Sequence, residues 1–439
     1  MRLRVHFIGI GGVSMSCMAK YMSGMGFDVD GSDVRRSEYV DELVAMGINV
    51  AIGHSEENIA GAHVAVYSDA IKEDNVELAY ARREKLYVIS RAELLKSIAE
   101  NFALVIGVAG CHGKTTVTCM LAHIFAAAHS EFTAHIGGED LEFSNCVLRG
   151  HYAFISEVCE YKKNMLSFPA DIAVCLNADK DHMDCYADYD ELKNSYREYL
   201  KSADKAVVCA DDPALGSYKY KNAVTFGVSK PAKYGAADIK DDAGKYSFAF
   251  TENGKKVARI SLRVVGRHNV INALAAAACA RESGISAKYI ARGLRNFRGV
   301  KRRFEKIGEI NGAETIIDYA HHPREITAAL AAAKEKSADK TIVVFQPHTY
   351  SRTIFLKDEF VSVLSGIENL LIYKTFPARE GYIEGGDAAD LCKALGRTGA
   401  YFDDFSVLYS YLEKNLSKGD LLLVLGAGDL AERFREELR

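Results

Sequence analysis

The sequence predicts an α/β protein of three domains, and three observations support this. Short apolar runs that end in glycine-rich or polar turns alternate with helical patterns along the chain, as in parallel sheets covered by helices. The chain has 439 residues, enough for about three domains of ordinary size. A first α/β unit closes near residue 99, and the pattern breaks again after residue 297. We therefore expect domains at 1–99, 100–297 and 298–439.

The composition is that of an ordinary globular protein, with 49% hydrophobic and 26% charged residues. The net charge of −4 argues against a nucleic-acid partner held by a basic surface. Ten cysteines are scattered without a C-x-x-C pair, which favours reduced thiols. No apolar stretch approaches the roughly 20 residues of a membrane helix. We expect a cytoplasmic protein without membrane insertion.

The first domain opens with a β-α-β pattern. An apolar strand leads into a turn rich in glycine, a helix continues to about Gly24, and a second strand ends at Asp33. This is a Rossmann-like layout, in which a diphosphate lies at a helix N-terminus. The glycine pattern typical of dinucleotide-binding folds is broken at its third glycine, where this chain has Ser14, so the evidence for an NAD site is weak. Asp33 is either a ligand contact or a surface cap. The other candidate positions are the turn glycines and two strand ends: Gly11, Gly12, Ser68 and Arg91.

The second domain is organised around a glycine-rich turn at residues 107–116. The apolar run at 102–106 reads as a buried strand, and a helical pattern follows from about Thr115. Backbone N–H groups of such a turn wrap a phosphate, Lys114 reaches the outer phosphates, and the Thr115 hydroxyl holds Mg²⁺. Val108 stands where the P-loop motif has a glycine, and a tight turn with a surface lysine is the alternative. We predict a central P-loop ATPase domain with a parallel sheet.

Acidic residues and a histidine follow the next two strands of this domain. One strand ends in Glu157-Val-Cys-Glu160, and another leads into Asp179-Lys-Asp181-His182. Ligands gather at the carboxyl ends of parallel strands, so Glu157 and His182 are candidates for a second Mg²⁺. The alternatives are a solvated acidic loop with a structural histidine, or a zinc site, which the spacing of Cys159, His182 and Cys185 does not support.

Polar clusters also mark the junction and the third domain, a Rossmann-like α/β unit. Asn269 is a candidate N-cap of an alanine-rich helix, and Asn272 in its first turn is placed to read an adenine. Arg303 has the planar, permanent charge that suits developing phosphoryl charge. Two strand ends in the third domain carry histidines and an arginine able to grip a carboxylate: Asp318, Tyr319, His321, His348 and Arg352.

Taken together, these motifs resemble those of the Mur ligases, the ATP-dependent amide-forming enzymes of peptidoglycan assembly. The resemblance covers essentially the whole chain, and the motifs stand in the family's order. They are His6-Phe-Ile-Gly-Ile-Gly-Gly, Gly110-Cys-His-Gly-Lys-Thr-Thr, Asp181-His182-Met-Asp, Gly266-Arg-His-Asn, Arg302-Arg-Phe, Asp318-Tyr-Ala-His-His-Pro, Phe345-Gln-Pro-His and Gly426-Ala-Gly.

The resemblance implies a uridine-nucleotide domain, a central ATPase and an amino-acid domain. It implies an ATP- and Mg²⁺-dependent ligase that joins L-alanine to the carboxylate of UDP-N-acetylmuramate through an acyl phosphate. We expect a monomer or a homodimer. The small-molecule substrates would be the sugar nucleotide and the amino acid. By carry-over the sites divide as follows: Gly11, Gly12, Ser14, Asp33, Ser68 and Arg91 on the UDP-sugar; Gly110, Cys111, His112, Gly113, Lys114, Thr115, Thr116, Asn272, Arg303 and Asp318 on ATP; Thr115, Glu157 and His182 on metal; Tyr319, His321, His348 and Arg352 on the amino acid; Lys114, Glu157, His182 and Arg303 in catalysis.

This chain departs from the family pattern at several positions. An acidic residue is missing at Cys159, Ile317 replaces a common aspartate, and Thr349 stands where many members have arginine. The last departure bears on which amino acid is used. The alternatives are a sister ligase that attaches a recycled murein tripeptide to the same sugar nucleotide, and a nucleotide-sensing relative without chemistry. The proton acceptor is one of His182, His321 and His348.

Overall fold

The computed structural model describes residues 2–180, 185–217, 219–397 and 400–438. Within these ranges, no helix is long and apolar enough to cross a membrane. Backbone contacts group the chain into two compact units. The first comprises 1–238, 248–261 and 271–298, and the second comprises 239–247, 262–270 and 299–439.

The N-terminal part of the first unit is a parallel five-stranded sheet with the order β3-β2-β1-β4-β5. The order reverses between β1 and β4, which is where open α/β sheets bind ligands. The predicted β-α-β opening is confirmed. The elements are β1 (Arg4–Ile8), α1 (Val13–Gly24), β2 (Asp28–Asp33), α2 (Glu38–Ala45), β3 (Asn49–Ile52), α3 (Glu56–Ile59), β4 (Val64–Tyr67), α4 (Val76–Arg83), β5 (Tyr87–Ser90) and α5 (Arg91–Ala99).

The central sheet has ten strands in the order β15-β14-β13-β12-β11-β10-β6-β9-β7-β8. From β12 to β7 the neighbours are parallel, and β8 is antiparallel to β7. The elements are β6 (Leu104–Ala109), α6 (Lys114–Ala127), β7 (Phe132–Asp140), β8 (Ser144–Arg149), β9 (Ala153–Glu157), a 3-10 helix (Tyr161–Ser167), β10 (Ile172–Cys175), α7 (Tyr189–Ser202), β11 (Lys205–Cys209), β12 (Ala223–Gly227), β13 (Tyr234–Asp242), β14 (Lys245–Glu252), β15 (Lys255–Val265), α8 (His268–Glu282) and α9 (Ala287–Asn296).

The C-terminal sheet has six strands in the order β16-β17-β21-β18-β19-β20. Among the described strands of this sheet, β16 alone runs antiparallel to its neighbour. The carboxyl ends of the parallel strands β17, β21 and β18 therefore lie at the same edge of the sheet. The elements are β16 (Glu305–Ile310), β17 (Ala313–Asp318), α10 (Pro323–Glu335), β18 (Thr341–Phe345), α11 (Tyr350–Phe355), α12 (Lys357–Ser365), β19 (Asn369–Tyr373), α13 (Ala388–Ala394), β20 (Tyr401–Phe402), α14 (Phe405–Asn415), β21 (Leu421–Leu425) and α15 (Leu430–Glu437).

Two local predictions are corrected. The strand predicted at 102–106 runs from Leu104 to Ala109, so Gly107 lies inside β6 and not in the turn. Gly107 allows Tyr199 to pack closely against β6, because a Cβ at residue 107 would lie 2.0 Å from the Tyr199 hydroxyl oxygen. Asn269 is not the N-cap of α8, which already begins at His268; its amide donates back to the Val265 carbonyl at 2.8 Å.

The β7–β8 hairpin was not predicted. Its sequence, Phe132-Thr-Ala-His-Ile-Gly-Gly-Glu-Asp, contains two adjacent glycines and an acidic end, which hide the strand pattern. This hairpin packs beside β9 and α1.

Candidate active site

The turn between β6 and α6 is shaped to receive an anion. Gly110 and Gly113 have φ angles of +133° and +90°, conformations that favour glycine. Within the described chain, no side chain caps the N-terminus of α6. The first N–H groups of the helix, together with the positive end of its dipole, are therefore available to a phosphate.

Lys114 is held by a buried carboxylate. Its ammonium lies 3.0 Å from both oxygens of Glu160 and donates to the Gly110 carbonyl at 2.6 Å. Glu160 is fully buried. Burial pulls the pKa of Lys114 down, but the nearby Glu160 charge outweighs this and raises it well above its usual value. Lys114 is therefore a fixed positive charge beside the turn.

Thr115 and Glu157 form a second polar pair at this edge. The Thr115 hydroxyl donates to a Glu157 carboxylate oxygen at 3.0 Å. The other Glu157 oxygen accepts from the N–H of Gly137 on β7. A Cβ at residue 137 would lie 2.7 Å from both carboxylate oxygens, so the glycine makes room for Glu157. A hydroxyl and a carboxylate are hard oxygen donors of the kind that Mg²⁺ prefers.

Asn177, which follows β10, fixes the shape of the turn. Its amide accepts from the His112 N–H and donates to the His112 carbonyl, both at 2.9 Å, and its own carbonyl accepts from Cys111 N–H at 3.4 Å. The Cys111 thiol is buried beside the backbone of Asp179. The N–H groups at residues 111 and 112 are thus already used, which leaves those from Gly113 onward for a phosphate.

Asn272, in the first turn of α8, lies against the same turn. A Cβ on Gly113 would come within 2.7 Å of the Asn272 amide oxygen. The sequence predicted Asn272 as a nucleotide contact that reads an adenine, and the structure places its side chain against the glycine-rich turn. The predictions for Asp181 and His182 fall outside the described residues.

A cleft joins this edge to the N-terminal sheet. Arg91, Glu157 and Cys159 are among the residues that line it. Arg91 donates to Asp69 through Nε and Nη2 at 3.3 and 3.1 Å. Burial raises the pKa of the Cys159 thiol, so the thiol is neutral at pH 7.

The glycine-rich turn after β1 is tied to the end of β2. Gly11 N–H donates to the Asp33 carboxylate at 2.9 Å, and a Cβ at Gly11 would collide with that carboxylate. Asp33 therefore braces the turn. Ser68, at the end of β4, lies against Gly9 of the same turn. The predicted UDP-sugar residues from β1, β2 and β4 thus share one strand edge.

In the second unit, Asp318 is the polar residue at the end of β17. Its two oxygens accept from Phe304 N–H at 2.7 Å and Ala320 N–H at 2.8 Å. Burial raises the pKa of Asp318 to about 6, although the Arg303 charge opposes this. Arg303 lies over the Tyr319 ring, 5.0 Å from its centroid. Arg303, Asp318 and Tyr319 therefore form one cluster.

Two histidines and an arginine lie beside that cluster. The rings of His321 and His348 are 5.6 Å apart. Arg352 Nη1 lies 3.1 Å from His348 Nδ1, so this nitrogen accepts and the proton sits on Nε2. Burial, helped by the charges of His321 and Arg352, lowers the pKa of His348 to about 3. His321 directs Nδ1 at the Tyr319 carbonyl, 2.9 Å away.

Family models match three successive segments of the chain. They are the Mur ligase family catalytic domain at residues 4–103, the Mur ligase middle domain at 108–280, and the Mur ligase glutamate ligase domain at 302–428.

The chain is a Mur ligase.

Relatives of this Mur ligase match it along nearly its whole length. The UDP-N-acetylmuramate–L-alanine ligase of Acetivibrio thermocellus is 39% identical, covering 97% of this chain and 93% of that protein. The protein of the same name from Lachnospira eligens is 40% identical, covering 98% and 96%.

Solved structures agree with this three-domain α/β fold. The UDP-N-acetylmuramate–alanine ligase of Thermotoga maritima superposes with a TM-score of 0.84 at 27% identity, covering 99% of both chains. A murein peptide ligase of Psychrobacter arcticus has a TM-score of 0.74 at 22% identity, covering 99% of this chain and 98% of that one. The second likeness concerns the fold alone.

Three polar residues of this Mur ligase were not predicted as site residues. Glu160 holds Lys114, His135 lies between the two strand edges of the first unit, and Glu325 pairs with Arg303 at 3.5 Å. Glu160 was visible as the last residue of the acidic run after β9. His135 gave no signal, because its strand was not recognised.

Proposed function

We propose that this Mur ligase uses ATP to join L-alanine to the carboxylate of UDP-N-acetylmuramate, a step of peptidoglycan precursor synthesis. The observation that carries the reaction class is the uncapped N-terminus of α6 with Lys114 and Thr115 on it. The choice of substrates rests on the relatives at 39% and 40% identity.

The first chemical step is phosphoryl transfer. A carboxylate oxygen of the sugar nucleotide attacks the γ-phosphorus, and the bond from this phosphorus to the β–γ bridging oxygen breaks. The products of this step are ADP and an acyl phosphate. Positioning and charge neutralisation carry most of the rate in such transfers. We assign Lys114 and the N–H groups from Gly113 to Thr116 to the phosphates, and Asn272, Arg303 and Asp318 to ATP.

The second step forms the amide. The neutral amine of L-alanine attacks the activated carbonyl, and phosphate leaves from the tetrahedral intermediate. A base must take the amine proton. His348 is disfavoured, because Arg352 already donates to its accepting nitrogen. Since His182 is assigned to the metal, we assign the base to His321, and Tyr319, His348 and Arg352 to amino-acid binding.

The donors at the end of β9 fit Mg²⁺. Thr115 and Glu157 bring a hydroxyl and a carboxylate within 3.0 Å of each other, and we assign them, with His182, to the metal. Bound Mg²⁺ supplies charge neutralisation at the phosphates. The Gly137 N–H donates to the Glu157 carboxylate, so this carboxylate is already positioned before a metal ion binds.

The remaining assignments follow the strand edges. We assign Gly11, Gly12, Ser14, Asp33, Ser68 and Arg91 to the UDP-sugar, and we keep 1–99, 100–297 and 298–439 as the proposed domain bounds. A cytoplasmic monomer or homodimer is proposed. None of the ten cysteines, all of which lie in the described ranges, forms a disulfide, which fits a reducing compartment.

The test is phosphate release from ATP and Mg²⁺ with UDP-N-acetylmuramate, screening single amino acids and the murein tripeptide. We expect release only when the sugar nucleotide and L-alanine are both present. Lys114→Ala should lower turnover by at least about 100-fold, as for loss of a key transition-state charge, whereas Lys230→Ala, an exposed lysine of the same domain, should not. Release with tripeptide alone would reassign the substrate. Full turnover by Lys114→Ala would refute the phosphate site.

A further inference from the structure

Ser14, the residue that breaks the glycine fingerprint, contacts the central sheet. It is the second residue of α1, and its hydroxyl lies 2.8 Å from Nε2 of His135 on β7. His135 is buried, with 3% of its surface exposed. The side chain that replaces the expected glycine is therefore used within the protein, across two sheets.

The hydrogen bonds continue from His135 to β9. His135 Nδ1 lies 3.0 Å from the Ser156 hydroxyl, which donates to the Glu157 carbonyl at 2.9 Å. Burial lowers the pKa of His135 to about 3, so at pH 7 the ring is neutral, with one nitrogen that donates and one that accepts. The two ring nitrogens thus connect a hydroxyl on α1 to a hydroxyl on β9.

Two further contacts make the connection stiff. On β7, two residues beyond His135, the Gly137 N–H donates to the Glu157 carboxylate. On β8, Asn145 is fully buried and its amide donates to the Val13 carbonyl at 2.7 Å and the Ser16 hydroxyl at 2.8 Å. The first turn of α1 and the Glu157 carboxylate are thus held by the same β7–β8 hairpin.

We infer that His135 is a positioning residue that sets the register between the nucleotide-sugar turn at α1 and the phosphate site at Glu157. This inference rests on the proposed function, in which a carboxylate held by the first sheet attacks a γ-phosphate held by the second. Such a step needs the reacting atoms within about 3–3.5 Å, and a misplacement of about 1 Å costs about 100-fold in rate. Removing the His135 link therefore lowers kcat, and leaves the binding of each ligand alone nearly unchanged.

The experiment compares variants by kcat and by the Kd of ADP and of UDP-N-acetylmuramate measured separately. His135→Phe removes both hydrogen bonds and keeps a planar ring; His135→Gln keeps a donor and an acceptor. Ser156→Ala, at a fully buried position, removes the other hydrogen bond of His135 and tests the same link in case His135→Phe does not fold. The matched control is Thr133→Val on the same strand, which removes the buried bond from Thr133 to the Gly150 carbonyl. Thermal melting establishes that each variant is folded.

We expect His135→Phe and Ser156→Ala each to lower kcat at least about tenfold with each Kd within about twofold, and His135→Gln to recover most of the loss. The double variant should be no slower than either single one, because both cut one chain. Thr133→Val should keep its kcat. If kcat of His135→Phe matches that of Thr133→Val, or the two single losses multiply, the inference is wrong while the proposed function stands. If the wild-type protein is silent with every acceptor, both fail.

Discussion

The buried pair of Lys114 and Glu160 allows a quantitative test. Glu160→Gln keeps the side-chain shape but removes the charge that faces the ammonium at 3.0 Å through both oxygens. Breaking a buried ion pair by removing one partner costs about 3–5 kcal/mol. The Lys114 side chain is 17% exposed and keeps its bond to the Gly110 carbonyl, so we take the lower end, about 3 kcal/mol. For a chain of this length, at about 1–2 °C per kcal/mol, the melting temperature should fall by about 3–6 °C.

The assay is thermal melting without nucleotide, with the double variant Lys114→Met/Glu160→Met as control. Replacing both charges with apolar side chains leaves no unpaired ion, so the double variant should recover most of the lost stability. It should still be inactive, because the phosphates lose their cation. If Glu160→Gln melts within about 1 °C of the wild type, a change smaller than about 1 kcal/mol, the pair does not hold the lysine as we argue.

Three further predictions concern Glu157 and two titrating groups. Gly137→Ala places a Cβ 2.7 Å from the Glu157 oxygens, so this carboxylate should move aside. We expect a higher Mg²⁺ concentration for half-maximal turnover at an unchanged melting temperature, and an unchanged Mg²⁺ requirement would contradict this. Burial raises the pKa of Asp318 to about 6, above its unfolded value, so its stabilising contribution is present below about pH 4 and is lost as the pH rises through 6. The melting temperature of Asp318→Asn minus that of the wild type should therefore increase between pH 4 and pH 7. A difference that stays constant over this range would refute the prediction. The pKa of His348 is lowered to about 3 by burial and by nearby charges that include Arg352, so the wild type should lose stability relative to His348→Asn as pH falls from 6.5 toward 4; a gap that does not change with pH would show that the ring titrates normally.

The parts of the fold with strong local patterns could be predicted from the sequence. The strand ends at Asp33, Glu157 and Asp318 were placed correctly, because buried runs followed by polar turns mark carboxyl edges of parallel sheets. The limits of β6 were wrong, because Gly107 looks like a turn residue in sequence. Only the neighbouring Tyr199 shows that this glycine serves close packing.

The residues that connect elements could not be predicted. His135 contacts Ser14 across 121 positions of sequence, and no local pattern records such a pairing. Glu160 was seen in the acidic run, but its burial against Lys114 depends on the tertiary fold. The tie between Gly11 and Asp33 likewise appears only once β1 and β2 lie side by side.

The double hydrogen bond of Asn177 to His112 has a consequence for nucleotide recognition. Because the amide clasps both the N–H and the carbonyl of one turn residue at 2.9 Å, the turn is already ordered before a nucleotide arrives. Binding then incurs little conformational entropy for loop closure. Discrimination among nucleotides should therefore arise from the contacts each one makes and from how fast it leaves, and association should proceed without a slow folding step at the turn.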